Sequence, residues 1–267
     1  MPLIDPILLQ ACLGELAGRF VVDALAVCDS TSSELLRRAA APSGMVVVAD
    51  RQTAGRGRRG RSWLSAPENS LTFSLLWRFA GSPARLGGLS LAVGVALVRA
   101  LESLGGQGIG LKWPNDVLLA AADGDAKLAG ILVELASSRD RCQAVIGIGL
   151  NLAPPVGQLA QPAAGLDQAG LPGIDRHTLL AAILGQLAAI LDHFAQSGFA
   201  AVRADWQCRH LWQDRPVQLV DAAAAPLTGL CRGVDDDGAL LLETASGLQR
   251  IVSGDLSLRP AVQMVFE

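Results

Sequence analysis

Residues 52–63, QTAGRGRRGRSW, concentrate the chemistry-bearing side chains of this chain. Positions 55–61 alone hold three glycines (Gly55, Gly57, Gly60) and four arginines (Arg56, Arg58, Arg59, Arg61), in a chain whose net charge is −3. Guanidinium forks suit phosphate and carboxylate. Glycine lets the main chain bend and a ligand approach it closely. The stretch reads as a loop that wraps an anion.

Further groups could serve the same anion. Lys112-Trp113-Pro114-Asn115-Asp116 ends a strand at a turn, where sites tend to be built, although Asn and Asp after Pro are also ordinary turn residues. Lys127 opens the apolar strand LAGILVEL, and Gly130 inside it marks a place where a ligand or backbone comes close. Glu134 in that strand could pair with Lys or Arg. Gly147-Ile148-Gly149-Leu150-Asn151 ends a strand in an amide, whose donor and acceptor can read a base edge. Ser30 and Thr31 stand before a helical pattern, with Glu34 following, and local physics favours capping over ligand contact.

Two familiar motifs fit the arginine loop by spelling and fail by context. Gly55-Arg56-Gly57-Arg58-Arg59-Gly60 satisfies GxGxxG, and Gly55 to Ser62 nearly satisfies a phosphate-binding P-loop with Arg61 for lysine. Both need a helix directly afterwards, whose N-terminal amides hold the phosphates. Here Pro67 and an alternating pattern follow, which predict a strand. No Ser-His-Asp or Cys-His arrangement is supported, since Ser65 lacks an evident base. The three histidines are dispersed and make no metal site, with His193 on a helix surface.

The elements that must position these residues can be read in chain order. A short helix over 6–18 precedes a strand over Phe20–Val27, and a buried strand over Met45–Ala49 runs into the loop. A strand over Leu71–Trp77 and a helix over Leu86–Leu104 follow. Further strands are predicted at Ile109–Trp113, Val117–Ala121, Lys127–Leu135 and Ala144–Leu150, with a hairpin turn at Asp123-Gly124. Residues 153–175 form a long loop rich in Pro, Gly and Ala. Two helices are predicted over Thr178–Phe194 and Phe199–Trp212. After Trp212 the texture changes to short strands (Pro216–Val220, Leu227–Val234, Ala239–Glu243, Leu248–Ser253, Leu256–Leu258) split by glycines, the pattern of a small barrel. We place a domain boundary near Asp214.

Composition narrows the class. A chain of 267 residues can bury a core without staples. The slightly acidic balance argues against bulk nucleic-acid binding. Five scattered cysteines with no CxxC pair read as reduced, buried thiols of a cytoplasmic protein. No basic n-region precedes the apolar N-terminus, and no uninterrupted run of about 18 apolar residues exists, so neither a signal peptide nor a membrane span is expected.

The order GRGRRGRSW, KWPNDV, KLAGILVE, VIGIGLNL and then a glycine-punctuated barrel closely resembles the biotin protein ligases over about residues 22–260. The resemblance implies an α+β fold: a mixed β-sheet catalytic domain of the class II synthetase-like biotin/lipoate ligase type (1–213) and a C-terminal SH3-like β-barrel (214–267). It implies biotin–[acetyl-CoA-carboxylase] ligase activity, in which biotin and MgATP give biotinyl-5′-adenylate and the acyl group passes to a lysine of a biotin carboxyl carrier domain. Carried over residue by residue, it implies that Ser30, Thr31, Ser32, Gln52 and the Gly55-Arg56-Gly57-Arg58 segment contact biotin. Lys127 would bridge carboxylate and phosphate, with Gly130 beside it, and Trp63 and Asn151 would hold adenine. Arg58, Lys127 and Asp116 are the expected catalytic groups. Asp116, or Asn115 beside it, would assist Mg²⁺ or accept a proton from the incoming lysine. Many bacterial members add an N-terminal DNA-binding domain. Here the motifs begin at Ser30, so a ligase without DNA binding is expected, with a homodimer compatible. A lipoate–protein ligase is the nearest rival reading. The loop itself is expected to act as a lid, flexible when empty and ordered over its ligand.

Overall fold

A computed structural model describes residues 2–38, 40–122, 124–138, 141–157, 161–221, 226–252 and 256–260. Seven strands form one sheet: β1 (Val21–Cys28), β2 (Met45–Gln52), β3 (Ser70–Ala80), β4 (Ile109–Lys112), β5 (Asp116–Leu119), β6 (Ala126–Ser138) and β7 (Arg141–Asn151). Their order is β1-β2-β3-β7-β6-β5-β4. β1 and β2 run parallel and every other neighbouring pair is antiparallel, so the sheet is mixed, as expected.

The two-residue period of the strands divides this sheet into a helical face and a functional face. Val46 and Val48, Phe73 and Leu75, Ile146 and Ile148, and Ile131 all turn to the main core. There they meet α1 (Pro6–Leu13), α3 (Leu89–Ser103) and α4 (Arg176–Ser197). Each such side chain, fully withdrawn from water, contributes about 1.5–3 kcal/mol. The alternate residues face the other way. Val47, Leu76 and Val145 pack under Leu35 of α2 (Thr31–Arg37) in a smaller cluster. Next to α2 the same face carries Thr72, Ser74, Gly130, Gly147, Gly149 and Asn151, too small or too polar to make a core.

Two stretches, Pro83–Ser103 and Arg176–Ser197, reach mean hydropathies of 1.5 and 1.6, enough by length and composition to cross a membrane. Arg99 interrupts the apolar run of the first and Asp192 that of the second, so neither is an uninterrupted apolar run. Within this fold 67% and 56% of the respective windows are buried, α3 lies against α4, and their apolarity is that of core helices. Asp175 caps α4 by accepting from the Thr178 amide at 2.8 Å.

The helix expected over Phe199–Trp212 is shorter. α5 spans Ala200–Cys208, and residues 209–211 leave it to lie along β4. The Leu111 amide donates to the Arg209 carbonyl at 2.8 Å, and the Leu211 amide donates to the Leu111 carbonyl at 3.0 Å. Gly110 permits this approach, because a Cβ there would meet Leu211 at 2.4 Å. One edge of the sheet is thereby covered, while β1 forms the other, with Val21 and Val27 exposed.

A second sheet follows, built from β8 (Pro216–Asp221), β9 (Leu227–Val234), β10 (Leu240–Thr244), β11 (Gly247–Ile251) and β12 (Leu256–Pro260). Its order is β11-β10-β9-β8-β12, antiparallel throughout. The strands fall where the glycine spacing placed them; Asp123 and Ser253 of the expected turn and strand lie outside the described residues. The indole of Trp113, fully buried, donates to the Gly238 carbonyl at 3.1 Å and ties this sheet to the β4–β5 turn. The five cysteines are unpaired, but only Cys142 and Cys231 are buried, whereas Cys12 and Cys208 are exposed. On α1 the inward positions belong to Leu9 and Leu13, which leaves Cys12 on the outer side.

Candidate active site

A cavity of about 380 Å³ opens on the functional face. Strand register aligns its floor: Lys112, Asp116, Gly130 and Gly149 form one row across β4, β5, β6 and β7. Every residue expected at the site lines this cavity except Gly55. Gly55 instead shapes the loop. A Cβ there would lie 2.5 Å from the Trp63 carbonyl oxygen, and the Trp63 amide donates to the Gly55 carbonyl at 2.8 Å. A second pinch, from the Gly57 amide to the Arg61 carbonyl at 2.7 Å, makes residues 55–63 a narrow hairpin. Arg59 and Gly60 turn its tip with φ of 62° and 68°. Glycine adopts that region freely and arginine rarely does.

At one end the cavity is lined with hydroxyls. Ser30, Thr31 and Ser32 are all buried. The Thr31 amide donates to Gln52 Oε1 at 2.8 Å, and Ser74 Oγ shares hydrogen bonds with Thr31 Oγ1 at 2.8 Å and Ser32 Oγ at 3.0 Å. Ser30 occupies the N-cap position of α2 but makes no side-chain capping bond. Capping, which local sequence favours, is not what Ser30 does: its hydroxyl lines the cavity. Gly147 is required here, since a Cβ would meet Ser32 Oγ at 2.6 Å.

At the centre lies a charge cluster in which Lys112 and Asp116 are buried and Lys127 is partly exposed. Asp116 Oδ2 pairs with Lys112 Nζ at 2.9 Å, and Asp116 Oδ1 pairs with Lys127 Nζ at 2.6 Å. Burial alone would raise the Asp116 pKa, but the attraction of Lys127 and then Lys112, with their hydrogen bonds, overrides it and holds the carboxyl below its ordinary range. Burial pushes the Lys112 ammonium the other way, down, and Asp116 opposes that shift. With both lysines protonated the trio carries a net +1, an attraction for an anion in a poorly solvated place. Lys112 further sits 5.1 Å from the centre of the Trp212 ring, a cation–π contact.

Lys127 reaches this cluster because of a bulge. Lys127 and Gly130 are three positions apart, and an odd step in a strand points two side chains to opposite faces. The β5–β6 register slips between Val117, opposite Ala129, and Leu118, opposite Lys127. Leu128 is the extra residue, turned into the core at 0% exposure, and Lys127 is brought to the face of Gly130.

The arrangement departs from the expected roles of Asn115 and Asp116. Both Asp116 oxygens are engaged by ammonium groups, which leaves it a weak base and a poor metal ligand; it orients the two lysines. Asn115 is a clasp: its Nδ2 donates to the Ile131 carbonyl at 2.8 Å, its carbonyl accepts from the Ile131 amide at 3.0 Å, and its Oδ1 accepts from Arg58 Nη1 at 3.3 Å. No group of three potential metal ligands (His, Cys, Asp or Glu) occurs among the described residues. Asp116 is the cavity's acidic lining residue, so this donor set does not fit a resident Mg²⁺. Arg56 is not presented to the cavity as a bare fork either, since Glu134 takes it at 2.9 and 2.5 Å, the pairing anticipated for Glu134.

At the other end, Trp63 lies flat on the glycine floor. A Cβ on Gly149 would fall 2.2 Å from the indole and one on Gly130 would fall 3.2 Å from it. The indole Nε1 is buried without a partner. Asn151 Nδ2 donates to the Lys127 carbonyl at 3.2 Å and the Ala164 carbonyl at 3.0 Å. Its amide donors are therefore spent on backbone and its oxygen is what it can offer a ligand, narrower than the donor-and-acceptor reading. Leu256 and Leu258 of β12 complete the wall from the second sheet. They, Lys112, Ser74 and the Gly147/Gly149 pair were not singled out individually by sequence reasoning. The GIG spelling and the lysine that opens KWPND were the available signals; nothing in DLSL around Leu256 marks a cavity wall.

Comparisons with known proteins agree with one another. A family model described as the biotin/lipoate A/B protein ligase family matches residues 24–151, and one described as the biotin protein ligase C terminal domain matches residues 214–259. The bifunctional ligase/repressor BirA of Escherichia coli is 40% identical over 93% of this chain and 77% of its own length. The biotin–[acetyl-CoA-carboxylase] ligase of Mycobacterium tuberculosis is 32% identical over 96% of this chain and 95% of its own. Among solved structures, biotin protein ligase from Aquifex aeolicus in complex with biotin and ATP superposes with a TM-score of 0.73 at 31% identity, covering 90% of this chain and 99% of that one.

Proposed function

The chain belongs to the biotin protein ligase family, and from that premise we propose that it uses ATP to attach biotin to one lysine of a biotin carboxyl carrier domain, through biotinyl-5′-AMP. The observation that carries this reading is the Lys112–Asp116–Lys127 cluster set between a hydroxyl-lined pocket and a tryptophan-and-amide pocket. Such a cavity suits a ligand with a neutral polar head, a central anion and a flat heterocycle.

Biotin's ureido ring would lie among Ser30, Thr31, Ser32 and Gln52, with its carboxylate towards Lys127. In the first step a carboxylate oxygen attacks the α-phosphorus and the bond to pyrophosphate breaks. Two anions must meet for this. Lys127 and Arg58 offset their repulsion, and Asp116 fixes Lys127 where the charge develops. The adjoining cavity of about 690 Å³ shares Lys112 and Lys127 and adds Arg215 and Arg259, cationic surroundings for the departing pyrophosphate. Adenine would stack on Trp63 and give its amino hydrogens to Asn151 Oδ1. In the second step the carrier's lysine amine attacks the acyl carbon, AMP leaves and the amine proton is lost to solvent. Mg²⁺ belongs to this scheme as the companion of ATP, a substrate complex, and no step is assigned to it.

We assign the catalytic unit to 1–213, the small C-terminal β-barrel domain to 214–267, and a cytoplasmic location to the protein. The test is incubation with labelled biotin or lipoate, ATP and an apo carrier domain, with pyrophosphate release followed in parallel. Biotin-dependent pyrophosphate and a biotinylated carrier are expected. Transfer of lipoate alone, or no pyrophosphate with biotin, would overturn the proposal.

A further inference from the structure

We propose that Glu134 is a positioning residue for the arginine hairpin: paired with Arg56, it latches residues 55–63 over the cavity and sets how long an acyl-adenylate stays bound. The inference rests on the adenylate chemistry proposed above.

Gly130, Leu132 and Glu134 share one face of β6 by strand period. Gly130 and Leu132 line the cavity, and Glu134 is the next position outward, beyond the lining. There it receives both terminal nitrogens of Arg56, at 2.9 and 2.5 Å. The hydrogen bonds Gly57–Arg61 and Trp63–Gly55 lie within the hairpin. They hold its two arms together but do not resist its swinging away from the sheet as a unit. Ties that cross the mouth must do that. The Arg56–Glu134 pair is two-point and charge-assisted, a geometry in which a carboxylate fixes the direction as well as the distance of a guanidinium. It also gives the two arginines separate tasks. The Arg56 fork is taken by protein, whereas Arg58 reaches inward as far as Asn115. Glu134 is one-quarter exposed and Arg56 rather more than a third, so the pair can open without a large desolvation barrier, as a latch must.

The test compares wild type with Glu134→Gln, Arg56→Gln and the double variant. Each is loaded with labelled biotin and ATP and chased with unlabelled biotin. Release from Glu134→Gln is expected to be roughly three- to tenfold faster, with a thermal midpoint unchanged without ligand. Tryptic cleavage at the hairpin arginines of ligand-free Glu134→Gln should accelerate by a similar factor. In the cycle the double variant should release no faster than Arg56→Gln. Release from Glu134→Gln within about 1.5-fold of wild type, or additive effects in the cycle, would overturn the latch. Absence of any adenylate on wild type would instead sink the functional reading, and the proteolysis arm would still decide whether the pair holds the hairpin.

Discussion

Replacing Asp116 by asparagine isolates one charge in the middle of the site. The change keeps shape and removes the anion that two ammonium groups share at 2.9 and 2.6 Å. The cluster then goes from a net +1 to +2 in a buried setting. Two unit charges about 4 Å apart attract by about 4 kcal/mol at an effective dielectric of about 20. Two such attractions, less the several kcal/mol needed to strip water from the carboxylate, leave roughly 3–5 kcal/mol, the usual cost of taking one partner from a buried ion pair. For a domain of this size each kcal/mol moves the melting midpoint by about 2–4 °C, so a fall on the order of 10 °C is expected at pH 7.5, read by circular dichroism or dye binding. The pH dependence has a definite sign. The folded carboxyl has a lowered pKa, so its contribution is complete above the unfolded value of about 4 and is lost as pH falls through the folded one. The gap between wild type and Asp116→Asn should therefore narrow from about pH 4 and close as pH falls to about 2. Adding Lys112→Met to Asp116→Asn removes the charges pairwise and should recover most of the midpoint. An Asp116→Asn protein that melts within about 2 °C of wild type, or a double variant no better than the single one, would refute the claim that this carboxylate neutralises buried charge.

Three further expectations are open to measurement. Lys127→Ala should slow biotin-dependent pyrophosphate release by about 100-fold, the loss of roughly 3 kcal/mol of charge stabilisation, with the melting curve showing an intact fold; near-normal release would remove Lys127 from the proposed chemistry. Gly149→Ala places a methyl 2.2 Å from the Trp63 indole and must displace it, so the KM for ATP should rise about tenfold while calorimetric binding of biotin alone changes little; an unchanged KM would separate Trp63 from the nucleotide. Burial holds the His210 imidazole down at about 4; stability should be complete above its unfolded pKa near 6.5 and decline as pH falls towards 4, by about 2 kcal/mol between pH 7 and 5. His210→Gln should flatten that slope in denaturant titrations, and an unchanged slope would exclude His210 as its source.

The strands were legible because alternation is local. Met45 to Ala49 is a short, β-branched apolar run and Leu71 to Trp77 partly alternates, both signals carried in their own spelling, and the structure extends them by a few residues. The arginine hairpin was legible as a type of loop for the same reason, and its context removed two motifs that its letters allowed. What could not be read depends on partners distant in sequence. Lys112 becomes functional only through Asp116 and Lys127, and Lys127 joins them only through a register slip that no composition records. The pairing of residues 209–211 with β4, just past α5, needs Gly110 on another element. Ser30 escapes its capping role because the polar pocket assembled from α2, β2 and β3 surrounds it, whereas a local reading sees only a hydroxyl before a helix.

The covered edge of the seven-stranded sheet bears on how copies of this protein can meet. A sheet with two open edges can add strands from other molecules at both sides and grow without limit, the route to fibrils. Here residues 209–211 occupy the β4 edge and leave β1 as the other. The seven-stranded sheet therefore keeps one free end strand. Two copies that join β1 to β1 use up that edge on each, are related by a two-fold axis, and leave this sheet nothing further to add to.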